Sequence, residues 1–129
     1  MDTRLTSTMA LLVVLTLAAC GGKSGDSVTS SGGSAGDPEA IARGQQVYNR
    51  ACALCHGGDA NGKPGLGQSL RDNAFSKGLG DAELAEFIRV GRAADDPLNE
   101  LGVAMPPMGG DPSMTDQELE DLVAYLRTL

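Results

Sequence analysis

The apolar positions of the chain form one unbroken run followed by three helical stripes. The run, Met9 to Ala19, contains about 11 mostly apolar residues, which suits the core of an export signal but falls short of the ~20 apolar residues a membrane span requires. The first stripe is Ile41, Gly44, Tyr48, Ala51 and Cys55. It follows Asp37-Pro38-Glu39, an N-cap residue with proline at the first helical position and an acid in the first turn, so a helix is predicted from Pro38 to about Cys55. The second stripe, Leu84, Phe87 and Ile88, predicts a short helix capped by Asp81 and stopped near Gly91. The third is the longest: Leu119, Leu122, Val123, Leu126 and Leu129 follow a Thr115/Glu118 capping-box pattern. Such a face must pack on something, and the first helix, with Gly44 permitting close approach and Tyr48 and Tyr125 supplying contact area, is the expected partner.

No run of alternating β-branched residues occurs in 37–129, so strands are disfavoured and the fold class is all-α. Between the predicted helices lie a Gly-rich segment, Gly57 to Gly80, and Arg92 to Ser113, which carries Pro97, Pro106, Pro107 and Pro112. Structureless loops of that length are unusual in a small domain unless they wrap something. The scarcity of aromatic residues, 3% with no Trp, points the same way, because the usual large core fillers are missing and a cofactor would replace them.

The chain therefore divides into three parts. Residues 1–19 read as a signal peptide ending in Leu17-Ala18-Ala19-Cys20, which resembles the bacterial lipobox, in which the cysteine is acylated and becomes the first mature residue. Lipidation of Cys20 would account for an otherwise unmatched cysteine. Residues 20–36 hold that cysteine and a Gly/Ser-rich tether with a root-mean-square reach of roughly 20 to 25 Å. Residues 37–129 form the folded domain and carry all of the net charge of -7, with eight basic and fifteen acidic side chains. A basic footprint for phosphate is absent, so no nucleic-acid partner is expected. The acidic surface reads equally as a solvated face or as a docking face for a basic protein.

The chemistry concentrates in Cys52-Ala53-Leu54-Cys55-His56. On a helical turn, spacings of three and four residues put both sulfurs and the imidazole on one face, where a planar cofactor can meet all three. Cys-x-x-Cys-His is the sequence form of c-type haem attachment: two thioethers fix the macrocycle and the histidine supplies an axial nitrogen to iron. A zinc site would need a fourth ligand that the domain's Cys and His residues do not provide. A thioredoxin-like pair would need a βαβ context. A disulfide within one helical turn is sterically poor. Because His56 is the chain's single histidine, a second imidazole is excluded, and Met105, Met108 and Met114 are the candidate thioether ligands.

With these parts in place, residues 38–129 resemble the class I cytochromes c: a first helix leading into the Cys-x-x-Cys-His motif, a Met-Pro pair in a loop bearing Gly and Pro, and a closing helix from Asp116 to Leu129. The resemblance implies about three main helices, with long loops around one covalently bound haem c. It makes Met105, before Pro106, the distal ligand, with Met108 in reserve and Met114 in the core. It also implies a proline after the motif whose carbonyl accepts a hydrogen bond from His56, and Pro64 is the nearest match.

A haem with His and Met ligands has no open position for substrate, so the reading is an electron carrier of positive potential, not an enzyme. The alternative is a haem enzyme or gas sensor in which the methionine swings away. Expected partners are a redox donor and acceptor, met transiently by a monomer. The lipid places the domain on a membrane, facing the periplasm or the cell exterior.

Overall fold

The computed structural model describes residues 36–129; the signal, Cys20 and nearly all of the tether lie outside the described residues. Five α-helices occur in this part: α1 (Pro38–Ala51), α2 (Ala53–His56), α3 (Ala74–Gly78), α4 (Asp81–Val90) and α5 (Asp116–Leu126). A 3-10 turn spans Pro107–Gly110. Among the described residues there is no strand, only isolated bridges at Lys63/Gly67 and Arg92/Met105. The domain is all-α, as its sequence pattern predicts.

Helix α1 starts as expected, with the Asp37 side chain accepting from the Glu39 amide at 3.0 Å and Pro38 in the first turn. It ends at Ala51 and not near Cys55. At Cys52 φ stretches to -110° (ψ -35°) within the right-handed region, and the chain resumes as the single turn of α2. The expected cap of α4 is also shifted by one residue. Gly80 occupies the cap position, Asp81 is the first helical residue, and the Glu83 carboxylate accepts from the Gly80 amide at 2.8 Å. Helix α5 carries the predicted capping box, with Thr115 Oγ1 accepting from the Glu118 amide and Glu118 accepting from the Thr115 amide. Two elements were not predicted. Helix α3 has only five residues and no apolar stripe, and is set by Asn73, whose side chain accepts from the Ser76 amide at 3.1 Å. The 3-10 turn is carried by consecutive left-handed residues, Met108 and Gly109.

Helices α1 and α5 form the main packing interface. At Gly44 a side chain would put its Cβ 1.9 Å from the Asp121 carbonyl oxygen, so only glycine permits the helices to lie this close. On one side of the crossing Arg43 grips the buried Asp121 carboxylate through Nε at 2.6 Å and Nη2 at 3.1 Å, and Gln117 donates to it from one turn away. On the other side the rings of Tyr48 and Tyr125 meet at 5.3 Å between centroids. Val47, Leu119, Leu122 and Val123 complete the buried seam, joined by Leu84 and Ile88 of α4 and by Met114.

Tyr48 ties this core to the loop that follows α2. It is fully buried, and its hydroxyl donates to the Gly57 carbonyl at 2.5 Å. Burial first, and then the neighbouring Cys52 and Tyr125, push its pKa up to about 12 from 10.0. The folded state thus favours the neutral phenol. The stabilisation is complete below pH 10, where the unfolded phenol is also neutral, and is lost as pH rises towards 12. Comparing denaturant midpoints of the wild type and Tyr48→Phe from pH 8 to 12 should show the wild type losing on the order of 2 kcal/mol more than the variant above pH 10. Parallel curves would remove the assignment.

Candidate functional site

The turn of α2 works as a mount for its side chains. The His56 amide donates to the Cys52 carbonyl at 2.9 Å, and the Cys55 amide to the same oxygen at 3.1 Å, so the backbone that carries the motif is closed on itself. Cys52, Cys55 and His56 all line one cleft that is partly open to solvent. The two cysteines are not joined to each other as a disulfide, and before any attachment burial and, secondarily, Cys55 push the Cys52 thiol up to about 11.

The Gly-rich loop after the motif folds back to hold the histidine. His56 Nδ1 lies 2.8 Å from the carbonyl oxygen of Gln68. A carbonyl can only accept, so Nδ1 carries a proton, which leaves Nε2 as the nitrogen the ring can offer to a metal. The acceptor is thus Gln68 and not Pro64, which is exposed. The loop turns at the Lys63/Gly67 bridge, which carries Pro64 outward and brings the chain back four residues later. Gly67 makes that return possible, since a Cβ there would sit 2.5 Å from the Cys55 carbonyl oxygen.

The opposite wall comes from α4 and the loop after it. Gly91 ends α4 with φ +76° and passes so near the Met105 carbonyl that a Cβ would come within 2.3 Å of it. Arg92 and Met105 then exchange both backbone hydrogen bonds, Arg92 N–H to Met105 at 2.8 Å and Met105 N–H to Arg92 at 2.9 Å. This bridge fixes the backbone of Met105, whose residue lines the same cleft as His56. Met108, left-handed at φ 54°, is not among the lining residues, although both it and Met105 pack against the hydrophobic core. Met114 is buried in the core, as expected. The loop is fastened from outside by Arg50 of α1, which bonds Asp111 at 2.7 Å and Glu118 at 3.0 Å. The Asp111 carboxyl is held below its ordinary range by Ser113 and then by Arg50.

Leu70, Leu84, Ile88 and Leu126 supply apolar walls. Two thiols, an imidazole with one free nitrogen and a thioether face a space bounded largely by hydrocarbon. This donor set suits a large apolar cofactor whose metal takes soft nitrogen and sulfur ligands. Among the described residues no cluster of three His, Cys, Asp or Glu side chains could hold a bare metal ion. Sequence reasoning missed Gln68, because its role is carried by a backbone carbonyl that no side-chain pattern reveals. It also missed Arg92, Phe75 and Phe87 in the cleft wall, since only folding brings α3 and α4 together.

The family described as cytochrome c oxidase, cbb3-type, subunit III matches residues 39–126. The chain is 32% identical over 93 residues to the cbb3-type cytochrome c oxidase subunit CcoP of Rubrivivax gelatinosus, an alignment covering 72% of this chain and 27% of that protein. It is 32% identical over 87 residues to cytochrome c-555 of Prosthecochloris aestuarii, covering 67% of this chain and 84% of the relative. The FixP subunit of Azorhizobium caulinodans is 30% identical over 100 residues, or 77% of this chain and 30% of that subunit. The chain thus spans about a quarter of the length of the CcoP subunit, and most of the length of cytochrome c-555. No solved structure matches it significantly. With a cleft built around Cys-x-x-Cys-His and a family match over nearly the whole described domain, the chain belongs to the monohaem c-type cytochromes, whose domain holds one covalent haem c and serves electron transfer.

Proposed function

We propose that this protein is a one-electron carrier in which Cys52 and Cys55 bind haem as thioethers, while His56 and Met105 are the axial ligands of its iron. The observation that carries this reading is the placement of Met105. Of the three methionines in the described residues, it alone lines the cleft that His56 lines, and its backbone is paired on both sides with Arg92. Bound haem supplies a ferric/ferrous couple. The chain's own contribution is to hold both ligands with little freedom to rearrange. The Gln68 carbonyl orients His56 and raises its basicity. The thioether of Met105 favours the softer ferrous state, and the apolar walls disfavour added positive charge, so both raise the potential.

We extend the proposal to the protein's location and partners. The Leu17-Ala18-Ala19-Cys20 sequence supports export and acylation of Cys20, with the cytochrome domain held to a membrane by its tether. Among the described residues no helix is long and apolar enough to cross a membrane, and a lipid would provide attachment without one. The donor and acceptor are redox proteins met transiently at that surface. The excess of carboxylates in the domain favours a basic docking face on at least one of them.

Protein made with haem-maturation machinery should carry covalent haem on a stained denaturing gel, show the weak far-red thioether-to-iron band when ferric, and titrate at a positive potential. Met105→Ala should lose that band, admit carbon monoxide rapidly and fall in potential, whereas Met108→Ala should keep all three wild-type properties. The reverse pattern would make Met108 the ligand. Metabolic labelling with a radioactive fatty acid should mark the wild type and leave Cys20→Ser unlabelled, with the variant released from membranes. Labelling of both would dismiss the anchor. Electron-transfer rates with a basic partner should fall several-fold between 20 and 200 mM salt, as roughly expected when the Debye length shortens.

A further inference from the structure

The wall of the cleft contains one cation, and it is clamped. The guanidinium carbon of Arg92 lies 4.5 Å from the ring centroid of Phe75 and 4.8 Å from that of Phe87. The two rings themselves meet edge to face at 4.9 Å. All three residues line the cleft with His56 and Met105, and the Arg92 side chain is only 15% exposed. Burying a guanidinium costs free energy that attraction to two ring faces only partly offsets.

Little else within the protein compensates it. Nη1 donates to the Leu98 carbonyl at 3.1 Å. Asp96 is the one carboxylate within ion-pair distance of it among the described residues. It stands 4.0 Å from Nε, beyond hydrogen-bond reach, and is itself 37% exposed. Among the described residues no side chain closely neutralises this positive charge, and solvent screens it poorly. By contrast, Arg43, Arg50, Arg89 and Arg127 each hold a carboxylate at 2.8 Å or less.

We propose that Arg92, held between Phe75 and Phe87, is a potential-setting residue: a fixed positive charge in the cleft wall that raises the reduction potential of the bound haem. The inference rests on the haem site proposed above. Oxidation adds one positive charge within the cleft, and Arg92 opposes that addition by Coulomb repulsion through a medium of low polarisability. The aromatic clamp keeps the guanidinium from swinging into water, where its field would be screened. Arg92 is a positioning and electrostatic residue and not an iron ligand. Its backbone pairing with Met105 is independent of its side chain.

The test uses full-length haem-loaded protein and three variants, Arg92→Lys, Arg92→Gln and Arg92→Met, each titrated potentiometrically with the far-red band monitored. Arg92→Gln and Arg92→Met should keep covalent haem and the band, yet show a ferric-to-ferrous ratio about three- to tenfold above wild type at a fixed ambient potential, a tenfold change being about 59 mV for one electron. Arg92→Lys, which keeps the charge, should stay within about twofold of wild type. Unchanged potentials in the neutral variants would overturn the proposal. So would an equal drop in Arg92→Lys, because the planar group and not its charge would then be responsible. Loss of the band in Arg92→Gln with the band retained in Arg92→Lys would also overturn it, by tracing the effect to movement of Met105. Absence of covalent haem in the wild type would instead defeat the site reading.

Discussion

The approach of α1 to α5 at Gly44 is the constraint that orders the rest of the domain. With a Cβ at residue 44 the helices could not meet, because it would overlap the Asp121 carbonyl. Close approach lets Arg43 reach the buried Asp121 carboxylate and lets the Tyr48 and Tyr125 rings pack at a tilt. Those contacts set the position of the end of α1, and α2, with its thiols and imidazole, follows within one residue. Further along α5, Leu126 enters the wall of the same cleft. A crossing of two helices thus determines where the motif stands relative to the cofactor site.

Much of this was legible in the sequence because it is periodic or is carried by side-chain identity. The α1 and α5 stripes, the Gly44 contact, the capping box at Thr115 and the Cys-x-x-Cys-His motif all belong to that class. What escaped depends on backbone paths through glycine-bearing segments. The His56 acceptor is a main-chain carbonyl of Gln68, reached after a turn whose length no side-chain pattern reports. The end of α1 at Ala51 and the restart at Ala53 have no sequence mark either. Helix α3 is too short to show a period. Met105 could be chosen over Met108 only by its proline neighbour and the resemblance it supports, whereas the structure supplies a physical distinction: a two-sided backbone bridge for one and a left-handed turn for the other.

The charges follow a division of labour that composition alone conceals. Every basic side chain of residues 37–129 is engaged within the fold. Arg43, Arg50, Lys77, Arg89 and Arg127 face carboxylates, Arg92 lies over the rings of Phe75 and Phe87, and Lys63 and Arg71 bond to the carbonyls of Leu54 and Asp59. Arg127 shows why: besides Asp81 it donates to the Ser76 and Leu79 carbonyls, so it satisfies groups at the end of α3 and ties that segment to α5. Since the cations are occupied internally, the field felt by an approaching protein is set by the surplus carboxylates. An acidic net charge of this origin is a stronger argument for a basic partner than the same number spread over mobile, unpaired side chains of both signs.

The scarcity of aromatic residues now has a structural counterpart. Leu70 and Leu126 pack against the buried cluster, Leu84 and Ile88 belong to it, and all four also line the cleft. The cleft and the core are therefore one continuous apolar region, half of it closed by the α1–α5 seam and half left for a cofactor. A domain of this size has little hydrophobic area to spare against the entropy of ordering its chain. Covalent attachment to Cys52 and Cys55 would place a large apolar surface against those leucines and keep it there. On this argument haem has two roles in the protein, as the redox centre and as the part of the core that its few aromatic side chains cannot supply.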